Sequence, residues 1–316
     1  MKLKRNLWGI LYGFLLTAFT VYILLDTFVI TRVYASVPIE ENDSAQNAEI
    51  NHDSDENNAD VQEQEMPEVV NTPEVTGTTY KDDNISITIT EYREKDTNIY
   101  VADVQLSSAK YLKTALAQGT YGKNVTENTS EIAKENNAIL AINGDYYGSQ
   151  EKGYVLRNGV LYRSLASGNR EDLVIYEDGS FSMIAESKIT AERLLSDGAM
   201  QILSFGPALV TEREISVVPG EEVGKAKASN PRTAIGIIDD LHYVFVVSDG
   251  RTDESKGLSL YELAEFMQSL GIRDAYNLDG GGSSTMYFNR NVINNPTTSG
   301  KSIKERSVSD IVYIGY

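Results

Sequence analysis

Apolar and polar positions divide the 316-residue chain into three unlike stretches. Residues 7–30 are almost continuously apolar, with Asp26 as the only charged side chain. That length exceeds the roughly 20 residues an α-helix needs to cross the hydrocarbon core of a bilayer. Residues 37–79 carry acidic, amide and hydroxyl side chains, no Lys or Arg, and no apolar period. From Lys81 onward periodic patterns take over. Ile85-Ser86-Ile87-Thr88-Ile89-Thr90 alternates with period two and residues 99–106 do so again, which predicts a hairpin or an edge pair. A short helix over 130–136 precedes the apolar run 138–142, a buried strand that ends in Asn143-Gly144-Asp145-Tyr146-Tyr147. Residues 154–162 fold about Asn158-Gly159 and 173–184 about Asp178-Gly179, both suited to primed hairpin turns.

Further along, Thr190 caps a helix through Leu195, and Pro207 places the strand within 201–210 at an edge or a bend. Two more strands, 234–238 and 243–247, precede the capping box Ser259-Leu260-Tyr261-Glu262. Leu260, Leu263, Ala264, Met267 and Leu270 give that helix an apolar stripe, which Gly271 ends. Ala275, Tyr276 and Leu278 form a strand running into Asp279 and three glycines, and 307–316 supplies a closing strand. Many strands with few helices predict an α+β domain, a single unit on a large mixed or antiparallel sheet over 81–316. Ahead of it the pattern predicts a cytoplasmic tail (1–6), a transmembrane signal anchor (7–30) and an acidic disordered linker (31–80).

Charge sharpens that division. The net charge of −18 splits into +3 over 1–36, −12 over 37–80 and −9 over 81–316. No basic stripe competes for a phosphate backbone, so nucleic acid is excluded as a partner. Lys2, Lys4 and Arg5 before the apolar run place the N-terminus in the cytoplasm and the later domain outside the cell, a single-pass protein of the cell membrane. Val33-Tyr34-Ala35 resembles a signal-peptidase site, but the apolar run exceeds the 7 to 15 residues of a secretory core, which favours an uncleaved anchor. The chain has no cysteine, so disulfides, thiolate zinc sites and cysteine nucleophiles are excluded.

The glycine run reads two ways: a tight turn without chemistry, or a turn whose N–H groups converge on an anion with Asp279 at its rim. Several familiar motifs fail. Ser299-Gly300-Lys301-Ser302 lacks the first P-loop glycine, because Asn295 stands there. Gly280 and Gly282 make no dinucleotide fingerprint with Thr285 in the last glycine position. Ser283 and Ser284 lie in no G-x-S-x-G frame, and no histidine follows them. His52 falls in the linker, and His242 reads as a structural or surface residue. A carboxylate and carbonyl site for Ca²⁺ or Mg²⁺ stays open, with no cofactor required. What remains is a set of strand ends bearing charge: Asp145, Arg232, Asp249 with Arg251, Asp279, and Arg306 with Asp310. These are either ion pairs at sheet edges or the parts of a glycosyl hydrolase whose leaving group is a phosphate, carboxylates at the sugar and guanidinium forks on the anion.

The order of these segments, Ala141-Ile142-Asn143-Gly144-Asp145, Gly206-Pro207-Ala208, Asn230-Pro231-Arg232-Thr233-Ala234-Ile235-Gly236, Asp249-Gly250-Arg251, Asp279-Gly280-Gly281-Gly282-Ser283-Ser284 and Arg306-Ser307, resembles the phosphodiester glycosidase family over 81–316. The resemblance implies hydrolysis of a sugar-1-phosphodiester at its glycosidic bond. It implies Asp279, Asp145 and Asp249 as catalytic candidates. Asn143, Arg232, Arg251, Gly280, Gly281, Ser283, Ser284 and Arg306 are the implied substrate and phosphate ligands. For an anchored extracellular domain the expected partner is a phosphate-containing wall polymer or exopolysaccharide. A non-catalytic wall-polymer-binding module and a metal-dependent phosphodiesterase are the alternatives.

Overall fold

The computed structural model describes residues 2–36, 72–223 and 229–316. The expected linker therefore lies largely outside the described residues. An α-helix runs over Lys2–Phe28, and Trp8–Phe28 is apolar enough to cross a membrane, with none of it buried against the rest of the chain.

The remainder is built from three large sheets and one two-stranded sheet, and every pairing between strands among the described residues is antiparallel. The largest has nine strands in the order Glu214–Ile215, Ala208–Thr211, Asp274–Asn277, Arg232–Asp239, His242–Ser248, Thr97–Leu106, Ile85–Glu94, Thr79–Lys81 and Glu74–Val75. A second places Leu140–Asn143 between Met286–Phe288 and Asp310–Ile314. A third joins Val155–Arg157, Ala199–Leu203 and Glu171–Tyr176.

Period two explains how these layers stack. In the central strands Ile235, Ile237, Tyr243, Phe245 and Val247 face a core shared with Leu140, Ile142, Met286 and Val312 of the second sheet and Leu173 and Leu203 of the third. The alternate residues Ala234, Val244 and Val246 face the other way, onto Leu260, Leu263, Ala264 and Met267 of the helix Leu260–Ser269. That helix starts with Ser259 Oγ accepting from the Glu262 N–H at 3.1 Å while the Glu262 carboxylate accepts from the Ser259 N–H at 2.9 Å. Each fully buried aliphatic or aromatic side chain here contributes roughly 1.5–3 kcal/mol over exposure, so the two-sided central strands dominate the stability of the domain.

Several elements depart from the sequence pattern. The first hairpin extends to Ile85–Glu94 and Thr97–Leu106, closed by Lys95 and Asp96 with φ of 51° and 56°, a primed turn made without glycine. Around Asp178 the turn is not primed, because only Gly179 has positive φ and the Asp178 carboxylate accepts from the Ser180 N–H at 2.8 Å. The segment 201–210 is split between two sheets, and the Pro207 carbonyl accepts from the Asn277 N–H, so the proline marks the crossing point. Within 31–80, Arg32–Ser36 pairs with Thr120–Lys123, and Glu74–Val75 and Thr79–Lys81 extend the large sheet, so ordered structure reaches into both ends of the expected linker. Short alternating segments with an available strand edge pair even when their composition is polar.

Candidate active site

The strand Asp274–Asn277 continues its pairing for one residue, with the Leu278 N–H donating to Thr233 O at 2.9 Å. The next N–H, that of Asp279, turns to Gly144 O of the second sheet at 3.2 Å, so this aspartate sits where two sheets meet. Asn143 fixes the junction. Its amide donates to Asp279 O at 2.6 Å and its carbonyl oxygen accepts from Thr233 Oγ1 at 2.8 Å and from the Thr285 N–H at 3.3 Å. Fully buried and spent on these partners, Asn143 holds the Asp279 backbone in place.

Beyond Asp279 the chain makes one tight turn over Gly281–Ser283. Gly281 has φ of +64°, and a Cβ there would lie 2.7 Å from Arg251 Nη2; a Cβ on Gly280 would lie 2.9 Å from Pro231 O. Side chains at either position would push the arginine-bearing loops off the turn. The N–H groups expected to converge on an anion are largely used by the fold. Gly281 donates to Pro231 O, Ser283 to Gly280 O and Ser284 to Gly281 O.

Arginines hold the outer face. Arg306 Nη2 reaches Asp279 Oδ2 at 3.0 Å, Ser283 Oγ at 2.6 Å and Gly280 O at 3.1 Å, and its Nε donates to Ser283 Oγ at 2.9 Å. Arg251 donates to Thr298 O at 2.6 Å and to Asn230 Oδ1 at 2.9 Å. Arg232 is nearly fully buried, with Nε on Leu258 O at 2.8 Å and Nη2 on Glu222 Oε2 at 2.5 Å. Electrostatics tie the three together. Burial, then the Arg306 and Arg232 charges, lower the pKa of Arg251. For Asp279, burial pushes the carboxyl above its ordinary range, against the opposing pull of Arg306, the Ser283 hydroxyl and the Gly280 N–H. A carboxylate set among clustered cations in a shielded junction can face a sugar's anomeric carbon while the guanidiniums take an anionic group beside it.

The remaining candidates fall elsewhere or at the margin. Ser284 is buried beside the turn, and its hydroxyl has no hydrogen-bond partner among the described residues. Asp249 is held by the Asn295 N–H at 2.8 Å, Asn295 Nδ2 at 3.0 Å and Asn294 Nδ2 at 3.2 Å, and neither oxygen pairs with Arg251. Asp145 lies in a buried ion cluster in which Arg157 Nη2 reaches Asp145 Oδ2 at 2.9 Å and Asp310 Oδ2 at 2.8 Å. Burial and the Asp145 charge push the Asp310 carboxyl up, while Arg157 pulls it down. Asp310 thus belongs with Arg157 and not with Arg306, a pairing hidden in sequence because Arg157 sits in an ordinary hairpin strand. Glu222 was also missed: it follows another glutamate in an aperiodic stretch, so no sequence signal points to it. Among the described residues no group of three or more His, Asp or Glu side chains is arranged to hold a metal ion.

The phosphodiester glycosidase family model matches residues 136–315, which contain Asp279 and all three arginines. Among curated proteins, an uncharacterized SPbeta prophage-derived protein of Bacillus subtilis is 30% identical over 201 residues, covering 62% of this chain and 31% of that protein. The mouse N-acetylglucosamine-1-phosphodiester alpha-N-acetylglucosaminidase is 39% identical over 157 residues, covering 46% and 30% respectively. The matched region therefore spans about a third of the length of these relatives. Among solved structures, the catalytic domain of the zebrafish N-acetylglucosamine-1-phosphodiester alpha-N-acetylglucosaminidase superposes with a TM-score of 0.58 at 21% identity, covering 78% of this chain and 88% of that one. At that identity the likeness is one of fold.

Proposed function

The chain belongs to the phosphodiester glycosidase family, and we propose that its domain hydrolyses sugar-1-phosphodiesters at the glycosidic C–O bond, with Asp279 as the carboxylate at the anomeric carbon. The observation that carries this reading is the Arg306–Asp279–Ser283 constellation, 3.0 Å and 2.6 Å from one guanidinium nitrogen, with Arg251 and Arg232 packed around the same glycine turn. Arg306 and Arg251 bind the phosphate and stabilise it as it leaves. Since the leaving group departs as an anion already, protonation by a general acid contributes less than in ordinary glycosidases. Ionised Asp279 supports the positive charge that develops at the sugar, and Ser283 orients Arg306. Asn143 acts by positioning Asp279, and Asp145 and Asp249 hold neighbouring loops. The apolar helix Lys2–Phe28 supports a single-pass membrane anchor with the domain outside the cell, and for such a domain the substrate class is a phosphodiester-linked sugar of a wall polymer or exopolysaccharide.

The test is incubation of the detergent-solubilised chain with a nucleoside diphosphate sugar and with wall polymer, followed by product identification. Free reducing sugar is expected, with a loss on the order of a thousandfold or more in Asp279→Asn. Turnover unchanged in that variant removes Asp279 from the chemistry.

A further inference from the structure

Glu222 is a carboxylate in the arginine cluster for which the proposed reaction has no role. Its Oε2 lies 2.5 Å from Arg232 Nη2, while its Oε1 is buried with no hydrogen-bond donor among the described residues. Arg232 itself is rigidly set. Its N–H donates to Ser248 Oγ at 3.0 Å, its Nε to Leu258 O at 2.8 Å, and Gly280 packs against its side chain. The guanidinium therefore cannot follow a ligand, and a ligand must come to it.

A buried guanidinium without an anion is strongly unfavourable, so Arg232 needs a counter-charge. Glu222 supplies one, but incompletely bonded: a structural ion pair that persists in the interior normally satisfies both carboxylate oxygens. Its backbone lies outside every strand and helix, so the side chain can leave without breaking a ladder. A phosphate presents more acceptor oxygens than a carboxylate and would meet the neighbouring Arg251 and Arg306, whose charges already oppose one another.

We propose that the Glu222 carboxylate occupies the place on Arg232 that a phosphate takes, so that a phosphodiester enters by exchange with Glu222. This rests on reading the arginine cluster as the phosphate site. The exchange conserves charge, one anion for another, and no covalent bond changes. Glu222 then sets affinity for the anionic half of the substrate: it competes with weakly bound phosphate and yields to a ligand that engages all three arginines.

The experiment measures inorganic phosphate binding by calorimetry, and thermal unfolding across a phosphate series, on the full chain in detergent. Native protein is compared with Glu222→Gln, Glu222→Asp and Arg251→Gln. Glu222→Gln is expected to bind phosphate about tenfold more tightly, the effect of one charge-assisted contact relieved of its competitor. It should melt below the native protein without phosphate and regain that difference with it. Glu222→Asp, which withdraws the carboxylate by one methylene, should fall between and serves if Glu222→Gln does not fold. Phosphate affinity unchanged or weaker in both variants overturns the exchange. Should Arg251→Gln still abolish binding in that case, the phosphate site stands and only the role of Glu222 falls. If no protein in the set binds phosphate, both readings fall.

Discussion

Replacing Asp172 by asparagine should stabilise the fold, and increasingly so as pH rises. Asp172 is fully buried, and among the described residues neither carboxylate oxygen has a hydrogen-bond partner of normal geometry. Burial first, then the charge of Glu186, push its pKa from 3.8 up to about 9. The Glu186 carboxylate accepts from the Tyr154 N–H and from Ser204 Oγ, each at 3.1 Å, and from the Ser167 N–H. Between these two pKa values the folded chain keeps a proton that the unfolded chain releases. Stability then falls with rising pH by up to about 1.4 kcal/mol per unit, and the deficit is complete above the folded pKa. Asparagine keeps the shape and never ionises. From about pH 5 to about pH 8 the stability difference between Asp172→Asn and native protein should therefore grow by up to about 4 kcal/mol. For a domain of this size that corresponds to a growth in the melting-temperature difference of roughly 8–16 °C. Thermal unfolding followed by near-ultraviolet circular dichroism at both pH values reads it. A difference that stays constant between them would refute the assignment of a protonated Asp172.

Arg306 supplies the largest pull keeping Asp279 ionised, so in Arg306→Gln the acid limb of the pH–rate profile should move to higher pH; an unmoved limb separates Arg306 from Asp279. Gly281→Ala forces a β-carbon into a left-handed position and 2.7 Å from Arg251 Nη2, at a strain of about 1–2 kcal/mol. Its KM for a phosphodiester should rise about tenfold while the fold melts only slightly lower, and an unchanged KM would show that Arg251 is not a substrate ligand. Arg157→Met strands two buried carboxylates and should lower stability by about 3–5 kcal/mol. The loss should shrink at acid pH, where the Asp310 carboxyl, pushed up to about 7 chiefly by burial, takes up a proton, and urea unfolding across pH would expose the opposite trend.

The framework of the fold was legible because alternation and capping act locally. Residues 85–90, 99–106 and 259–270 carry period-two and helical patterns strong enough to survive any tertiary arrangement. The split of 201–210 between two sheets was not legible, because alternation specifies which face a residue takes and not which sheet its strand joins. The hairpin between 85–90 and 99–106 was legible, but its turn at Lys95-Asp96, where both residues take positive φ, was not, because no glycine marks it. At the candidate site, the grouping of Asp279, Arg232, Arg251 and Arg306 followed from their motifs. The separation of Asp145, and its union with Arg157 and Asp310, depends on contacts between residues 165 and 153 positions apart. No local pattern encodes such contacts. Glu222 was invisible for the same reason: its meaning comes from the buried guanidinium it meets.

The central claim is that the chain cleaves the bond between sugar carbon and bridging oxygen. Hydrolysis of a sugar-1-phosphodiester in water enriched in oxygen-18, with both products analysed by mass spectrometry, tests it most directly. The account predicts the label in the sugar hydroxyl and none in the phosphate, with the labelled product lost in Asp279→Asn. Label in the phosphate would show cleavage of the P–O bond and contradict the account.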